Sequence, residues 1–173
     1  KVEENFVKEA LDGIRGLELV GVNVTIPHKS AVIEHLDEID EIAQKIGAVN
    51  TIKRKDHELK GYNTDGEGAL RALREKVQRI KGANVVLLGA GGAARAISFT
   101  LTEAGAKLKI SNRTTSKAER LAAEIKRKTG KEPAVITQTK KSLKGAIEGS
   151  KILINSTSVG MTPNTEKTLV KAE

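Results

Sequence analysis

The sequence predicts an α/β fold with two domains, the second of which is built on a parallel sheet. Three observations support this prediction. Hydrophobic residues make up 38% of the 173 residues, which is enough for a sizeable core. Strand and helix patterns alternate from residue 83 onward, as they do in parallel sheets. A glycine-rich stretch, GAGGAA at 89–94, follows an apolar strand and opens a helix.

The chain is expected to begin with a helix and then a strand. Apolar residues recur at helical spacing over residues 2–14. The pattern then changes to period two within residues 17–26, which predicts a strand with Val20, Val22, Val24 and Ile26 on one face. The strand should end at Pro27, because proline has no N–H to donate to a ladder.

Short helices, a strand pair and one long helix are expected next. Residues 30–47 predict one or two short helices, and residues 48–63 predict two strands that turn around Asp56. The long helix should run from Thr64 to Ile80, with Thr64 or Asp65 as its N-cap. We therefore expect the first domain to occupy residues 1–80.

Residues 81–173 predict the second domain, in which four strand patterns are separated by helical stretches. Such alternation favours parallel strands joined by right-handed crossovers, the Rossmann-type doubly wound arrangement. A doubly wound dinucleotide domain usually has about six strands. We therefore expect this domain to lack its C-terminal part.

Composition argues against several classes of function. The only aromatic residues are Phe6, Phe99 and Tyr62, so no platform for stacking bases is expected. The formal charge of +8 is more typical of solvated helix faces than of a binding patch, and we expect no nucleic-acid partner. Without cysteine, and with three dispersed histidines, we expect no disulfide and no metal site. No apolar run is long enough to cross a bilayer, so we expect no membrane partner and a cytoplasmic location.

The glycine-rich stretch matches a dinucleotide fingerprint. Gly89 permits the tight turn, Gly91 lets the backbone approach a pyrophosphate, and Ala94 allows close helix packing. Amides near Gly92 and Ala93 would face the phosphates at the helix N-terminus. The predicted cofactor contacts are Gly89, Ala90, Gly91, Gly92 and Ala93. The alternative is a strand-to-helix turn that holds no ligand.

The end of the next strand indicates which dinucleotide is bound. An NAD-binding protein usually places an acidic residue there, whereas an NADP-binding protein supplies a cation for the 2′-phosphate. Here Asn112 takes the acidic position, and Arg113, Thr114 and Lys117 supply a planar cation, a hydroxyl and a second cation. We therefore predict NADP as the cofactor. Alternatively or in addition, these residues cap the following helix.

Short polar side chains follow several strands of the first domain. They are Asn23, Thr25, Lys29, Asn50, Asn63, Thr64 and Asp65. Amides and hydroxyls in such a set can each pair with a hydroxyl of a small polyhydroxylated ligand. A lysine can provide a counter-charge for a carboxylate or a proton for a carbonyl oxygen. Each residue taken alone is more typical of a turn or a cap.

Six motifs in order resemble the shikimate dehydrogenase family: NVTIPHK, GAVNT, GYNTDGEG, GAGGAAR, NRTTSKA and INSTSVGM. The resemblance implies a two-domain enzyme that reversibly reduces 3-dehydroshikimate to shikimate with NADPH, in the pathway to aromatic amino acids. It implies catalytic roles for Lys29 and Asp65, and substrate contacts from these two residues together with Thr25 and Asn50. It also implies cofactor contacts from 89–93 and 112–117, and a position near the cofactor for Glu41.

The chain also departs from the family pattern. The serine-rich motif that holds the substrate carboxylate, and a late glutamine that contacts the substrate, are absent from this sequence. We therefore expect a partial substrate site in a chain that is shortened at both ends. Two other functions remain open, a quinate dehydrogenase and an NADP-binding module without catalysis. Both Lys29 and Asp65 are present, which argues against the latter.

Overall fold

The structure is a computed structural model that describes residues 1–25, 27–163 and 165–170. Two four-stranded sheets lie in succession along the chain. The first is mixed and the second is parallel throughout. The predicted α/β fold with a parallel second sheet is confirmed. None of the helices in the described part of the chain is long and apolar enough to cross a membrane.

The first sheet has the strand order β1-β3-β4-β2. Its elements in chain order are a 3₁₀ turn at Glu4–Phe6, α1 (Val7–Gly16), β1 (Gly21–Asn23), a 3₁₀ turn at Ala31–His35, β2 (Glu38–Ile39), α2 (Glu41–Ile46), β3 (Thr51–Lys55) and β4 (Glu58–Tyr62). Strands β1, β3 and β4 are antiparallel neighbours, and β2 runs parallel to β4. The apolar stripe of α1, which contains Leu11 and Ile14, packs in one core with Ile52 and Leu59 of the sheet.

Two predictions about the first sheet are wrong. The strand predicted within residues 17–26 is only the three-residue β1, and the side chain of Val20 is 77% exposed. Among the described strands β1 pairs only with β3 and lies at the edge of the sheet, so alternation alone did not show which residues would be covered. Ile26 lies outside the described residues. The strand β2 was missed, since two residues are too few to show a period.

The second sheet has the strand order β7-β6-β5-β8. Its elements in chain order are α3 (Asp65–Lys76), β5 (Asn84–Leu88), α4 (Gly92–Glu103), β6 (Lys107–Ser111), α5 (Thr115–Thr129), β7 (Ala134–Ile136), α6 (Lys140–Glu148) and β8 (Ile152–Asn155). The order reverses direction after β5, because β6 and β8 flank it on opposite sides. Ligands of doubly wound sheets bind at such a switch point, beyond the carboxyl ends of the strands.

The long helix predicted from Thr64 to Ile80 is shorter in the structure. Helix α3 ends at Lys76, and Val77 adopts an extended conformation with ψ 112°. Ile80 is nevertheless only 5% exposed, because the extended segment carries it into the core of the second sheet. A helix that continued to Ile80 would bury the same apolar side chains as this short non-helical connection does. The periodicity of the apolar residues therefore did not distinguish the two.

The largest core joins the two halves of the chain. It contains Leu87 of the central strand, Phe99 of α4 and Leu70 of α3, together with Ile46 at the end of α2. Helices α2 and α3 therefore pack against α4 of the parallel sheet. The domain limits 1–80 and 81–173 stay a prediction.

Candidate functional site

Lys29 and Asp65 form an ion pair at the predicted catalytic position. Lys29 lies in the turn after β1, and Asp65 is the first residue of α3. Lys29 Nζ donates a hydrogen bond of 2.7 Å to Asp65 Oδ2. The two side chains keep 24% and 33% of their surface exposed. The pair is therefore held by the fold and remains open to a ligand.

The amide of Asn50 holds the same carboxylate from its other side. Asn50 Nδ2 donates to Asp65 Oδ1 over 2.7 Å and to Thr64 Oγ1 over 3.0 Å. Asn50 Oδ1 accepts the backbone N–H of Thr64 over 3.0 Å. Because a backbone N–H can only donate and a carboxylate can only accept, these contacts set the orientation of the amide. Asn50, which is 8% exposed, thus positions Asp65; its predicted contact with substrate stays a prediction.

Two residues extend this hydrogen-bond network. Thr51 Oγ1 donates to Asn50 Oδ1 over 3.0 Å, and Asn23 Nδ2 donates to Thr51 Oγ1 over 3.4 Å. We had singled out Asn23 as a polar residue near a strand end, but we did not predict a role for Thr51. Its position in the motif GAVNT was the available signal. Thr25 is exposed, and its carbonyl accepts the backbone N–H of His28 in the turn before Lys29.

The glycine-rich turn lies at the carboxyl end of the central strand β5. Gly89 has a φ of +116°, a conformation that side chains rarely adopt. A Cβ at Gly89 would also lie 2.6 Å from Ser156 Oγ. Ser156 donates to the carbonyl of Leu88 over 2.7 Å. Gly89 is therefore required by its backbone angle and by close packing. Ser156, which follows β8, packs against this turn, and the sequence analysis did not predict this contact.

The end of β6 lies beside this turn. The backbone N–H of Gly89 donates to the carbonyl of Ser111 over 2.7 Å. Asn112 Nδ2 donates to the carbonyl of Thr114 over 2.9 Å, which shapes the loop before α5. Thr114 is the N-cap of α5, but its side chain makes no capping hydrogen bond within the described part of the chain. Arg113 and Lys117 are exposed. The loop therefore presents two cations and a hydroxyl next to the glycine turn.

The structure does not bring Glu41 to the glycine turn through any described contact. Glu41 is the first residue of α2, and its carboxylate accepts from Lys45 Nζ over 2.8 Å. This hydrogen bond lowers the pKa of Glu41. Its predicted position near the cofactor stays a prediction. Histidine, aspartate and glutamate do not cluster as a metal site anywhere in the described ranges.

Two family models match the chain on either side of α3. The model for the shikimate dehydrogenase substrate-binding domain matches residues 1–52. The model for shikimate / quinate 5-dehydrogenase matches residues 71–172, which is more than half of the chain. The chain belongs to the shikimate and quinate dehydrogenase family. The resemblance seen in the six motifs is thereby confirmed.

Individual members of the family are similar over nearly the whole chain. A shikimate dehydrogenase (NADP(+)) of Methanocaldococcus jannaschii is 49% identical over 168 residues, which cover 96% of this chain and 59% of that relative. A crystal structure of a shikimate dehydrogenase in complex with NADP+ has a TM-score of 0.90 at 45% identity, covering 98% of this chain and 59% of that one. The chain thus spans about three fifths of the length of these relatives.

Another similar structure belongs to an enzyme with a different substrate. The ligand-free 5-ketofructose reductase of Gluconobacter sp. strain CHM43 has a TM-score of 0.80 at 41% identity, covering 92% of this chain and 57% of that one. Membership of the shikimate and quinate dehydrogenase family therefore does not by itself determine the substrate.

The glycine turn of this family member fits the phosphates of a dinucleotide. A Cβ built at Gly91 or at Gly92 meets no atom within 4 Å, so space above the turn is open. Helix α4 begins at Gly92, and its first turn carries no acidic residue and no side-chain cap. The N–H groups at this helix end are therefore available to an anion, which the helix dipole also favours.

Proposed function

We propose that this chain carries the catalytic pair and the cofactor site of an NADP-dependent shikimate dehydrogenase. The reaction is the reversible reduction of 3-dehydroshikimate to shikimate, a step toward aromatic amino acids. The observation that carries the proposal is the 2.7 Å contact between Lys29 Nζ and Asp65 Oδ2. A module that only binds NADP has no use for this pair. The predicted cytoplasmic location is part of the same proposal.

Lys29 has the chemistry to move the proton that this reaction requires. The chemistry that bound NADPH supplies is hydride transfer to the ketone. The oxygen of the substrate then gains negative charge and needs a proton, which the ammonium group of Lys29 can donate. In the reverse direction the amine of Lys29 accepts that proton. Asp65 orients Lys29 through their hydrogen bond, and Asn50 in turn orients Asp65.

The choice of NADP rests on the loop after β6. Asn112 stands where an acidic residue would contact the ribose of NAD. The exposed side chains of Arg113 and Lys117 supply positive charge for a 2′-phosphate, and guanidinium groups pair well with phosphate. The hydroxyl of the N-cap Thr114, which makes no capping hydrogen bond within the described part of the chain, can donate a further hydrogen bond to the same phosphate.

An assay of initial rates tests the proposal. NADPH and NADH are each supplied with 3-dehydroshikimate, 3-dehydroquinate or 5-ketofructose, and cofactor oxidation is followed by absorbance. The assay uses this chain and a chimera that adds the terminal segments of the Methanocaldococcus jannaschii relative. We expect NADPH oxidation with 3-dehydroshikimate by at least the chimera. Faster turnover of 3-dehydroquinate would make the chain a quinate dehydrogenase, and NADPH binding without turnover of any ketone would favour the binding module.

The role of Lys29 is tested by Lys29→Met, which removes the amine and keeps most of the side-chain volume. We expect turnover to fall by about 100-fold or more, since general acid catalysis contributes about that much, while NADPH binding stays within about twofold. Lys8→Met is the matched control, because Lys8 forms an exposed pair with Asp12 on α1. Unchanged turnover in Lys29→Met would contradict the mechanism.

A further inference from the structure

Arg95 lies in the first turn of α4, directly after the glycine turn, and its side chain reaches the end of α2. It is on α4, and its backbone N–H donates to the carbonyl of Gly91 over 2.9 Å. Its guanidinium group donates through Nε to the carbonyl of Ile46, the last residue of α2. The two terminal nitrogens bind both carboxylate oxygens of Glu124 on α5, in a bidentate pair that includes a contact of 2.6 Å.

A second cation reaches the same end of α2. Lys128 Nζ donates to the carbonyl of Lys45 over 2.6 Å and forms an ion pair with Glu124 at 3.0 Å. Arg95 and Lys128 also lie over the ring of Phe99, at 5.4 Å and 5.6 Å from its centroid. Cations are favoured at a helix C-terminus, where backbone carbonyls lack partners within the helix. We call Arg95, Glu124 and Lys128 the α2 clamp.

The two cations of the α2 clamp keep the carboxylate of Glu124 ionised. The hydrogen bonds from Arg95, supported by Lys128, lower the pKa of Glu124 to about 2. Its carboxylate is therefore ionised throughout the neutral range. The side chains of Arg95, Glu124 and Lys128 are only 24%, 27% and 21% exposed, so solvent screens these contacts less than it screens a surface pair.

The segment that follows α2 contacts both members of the catalytic pair. Gly47 ends α2 with a φ of +71°, and a Cβ there would lie 3.2 Å from a terminal nitrogen of Arg95. Two residues further on, the N–H of Val49 donates to the carbonyl of Lys29 over 2.7 Å. The amide of Asn50 then holds Asp65. A short run of backbone therefore connects the α2 clamp to Lys29 and to Asp65.

We propose that Arg95 is a positioning residue for the Lys29–Asp65 pair, acting through the carbonyl end of α2 and residues 47–50. Because Arg95 also lies in the first turn of α4, directly after the glycine turn, its side chain connects the segment beside the substrate site to the helix at the cofactor site. This proposal rests on the proposed function. A purely structural ion pair predicts something different, namely a loss of stability with no change in turnover at temperatures where the protein is folded.

The test uses Arg95→Gln and Arg95→Lys. Arg95→Gln cannot bind Glu124 and the carbonyl of Ile46 together. We therefore expect turnover to fall by about tenfold or more, because small misplacements of reacting groups lower the rate by such factors. The dissociation constant of NADPH should change by less than about twofold, because the N–H groups of the glycine turn remain. Arg95→Lys keeps the positive charge but loses the planar guanidinium group that binds two acceptors, and should restore turnover only in part. Arg71→Gln, which breaks an exposed pair with Glu67, is the matched control.

Amide hydrogen exchange provides a readout that needs no catalysis. In the chain itself, exchange at Val49 should speed up in Arg95→Gln and stay unchanged in Arg71→Gln. If neither the parent chain nor the chimera shows turnover of any ketone, the proposed function fails, but the exchange experiment still tests the clamp. If Arg95→Gln does not fold, Lys128→Gln removes one contact with α2 and should give a smaller change of the same kind. Unchanged turnover, or unchanged exchange at Val49, in a folded Arg95→Gln would overturn the proposal.

Discussion

Two glycines of α3 provide a matched test of how this helix packs on α4. Gly66 is buried and Gly68 is exposed, although they are two positions apart in the same helix. A Cβ at Gly66 would lie 2.1 Å from Thr100 Oγ1 and 2.7 Å from the carbonyl oxygen of Ala96. A Cβ at Gly68 meets no atom within 4 Å. Substitution by alanine should therefore have opposite effects at the two positions.

The magnitudes follow from two opposing effects. Alanine is favoured over glycine in a helix by about 1 kcal/mol, and both variants gain this. Overpacking costs about 1–3 kcal/mol, and the upper end applies to Gly66 because the carbonyl of Ala96 belongs to a helix backbone and cannot rotate away. The free energy of unfolding should fall by about 2 kcal/mol in Gly66→Ala and rise by up to about 1 kcal/mol in Gly68→Ala.

Urea unfolding of the two variants measures this difference, provided that the m-values stay equal. Gly66→Ala should also lose turnover, because Asp65 is the preceding residue and would move with the helix. A similar change in unfolding free energy for both variants would show that α3 and α4 do not approach as closely as described.

Three further predictions concern the core, the clamp and the cofactor site. Leu87→Ala, at a fully buried position of the central strand, should lower the free energy of unfolding by about 2–5 kcal/mol in urea titrations, and a loss below about 1 kcal/mol would contradict its packing. Because the pKa of Glu124 is lowered, its ionised carboxylate stabilises the fold above pH 4.5, and this stabilisation is lost as pH falls toward 2. The stability advantage over Glu124→Gln should therefore shrink by about 1 kcal/mol between pH 5 and pH 3, after allowance for solvent screening. A constant difference over that range would refute this assignment. Arg113→Gln should raise the KM for NADPH by about tenfold and leave that for NADH unchanged, and equal effects on both cofactors would argue against a 2′-phosphate contact.

Elements with a regular pattern and a covered face were predicted well from the sequence. The parallel sheet is an example, because its central strand β5 is a nearly continuous apolar run and its strands are separated by amphipathic helices. The strand around Val20 was predicted too long, since an edge strand leaves side chains uncovered that alternation assigns to the interior. The end of α3 was missed for a related reason, because Ile80 is buried without being helical.

The candidate site shows the same division between local and distant information. The types of residue at positions 29, 65 and 89–93 indicated their chemistry before any contact was known. The roles of Thr51 and Ser156 were missed although both residues lie in the motifs GAVNT and INSTSVGM, because a motif does not show which partner a hydroxyl binds. Arg95 and Glu124 were missed because each resembles an ordinary charged residue on a helix. Their partners lie 49 and 29 positions away, respectively, so no local pattern could reveal them.

The sequence by itself determined the fold class, the glycine turn and the chemical groups available for reaction. These properties depend on side-chain types and on short-range periodicity, which sequence records directly. Only the tertiary structure decided that Lys29 meets Asp65 across 36 positions, and that α4 and α5 hold the end of α2. Such contacts depend on how helices pack on one another and on the sheets, and close packing of many distant residues sets that geometry.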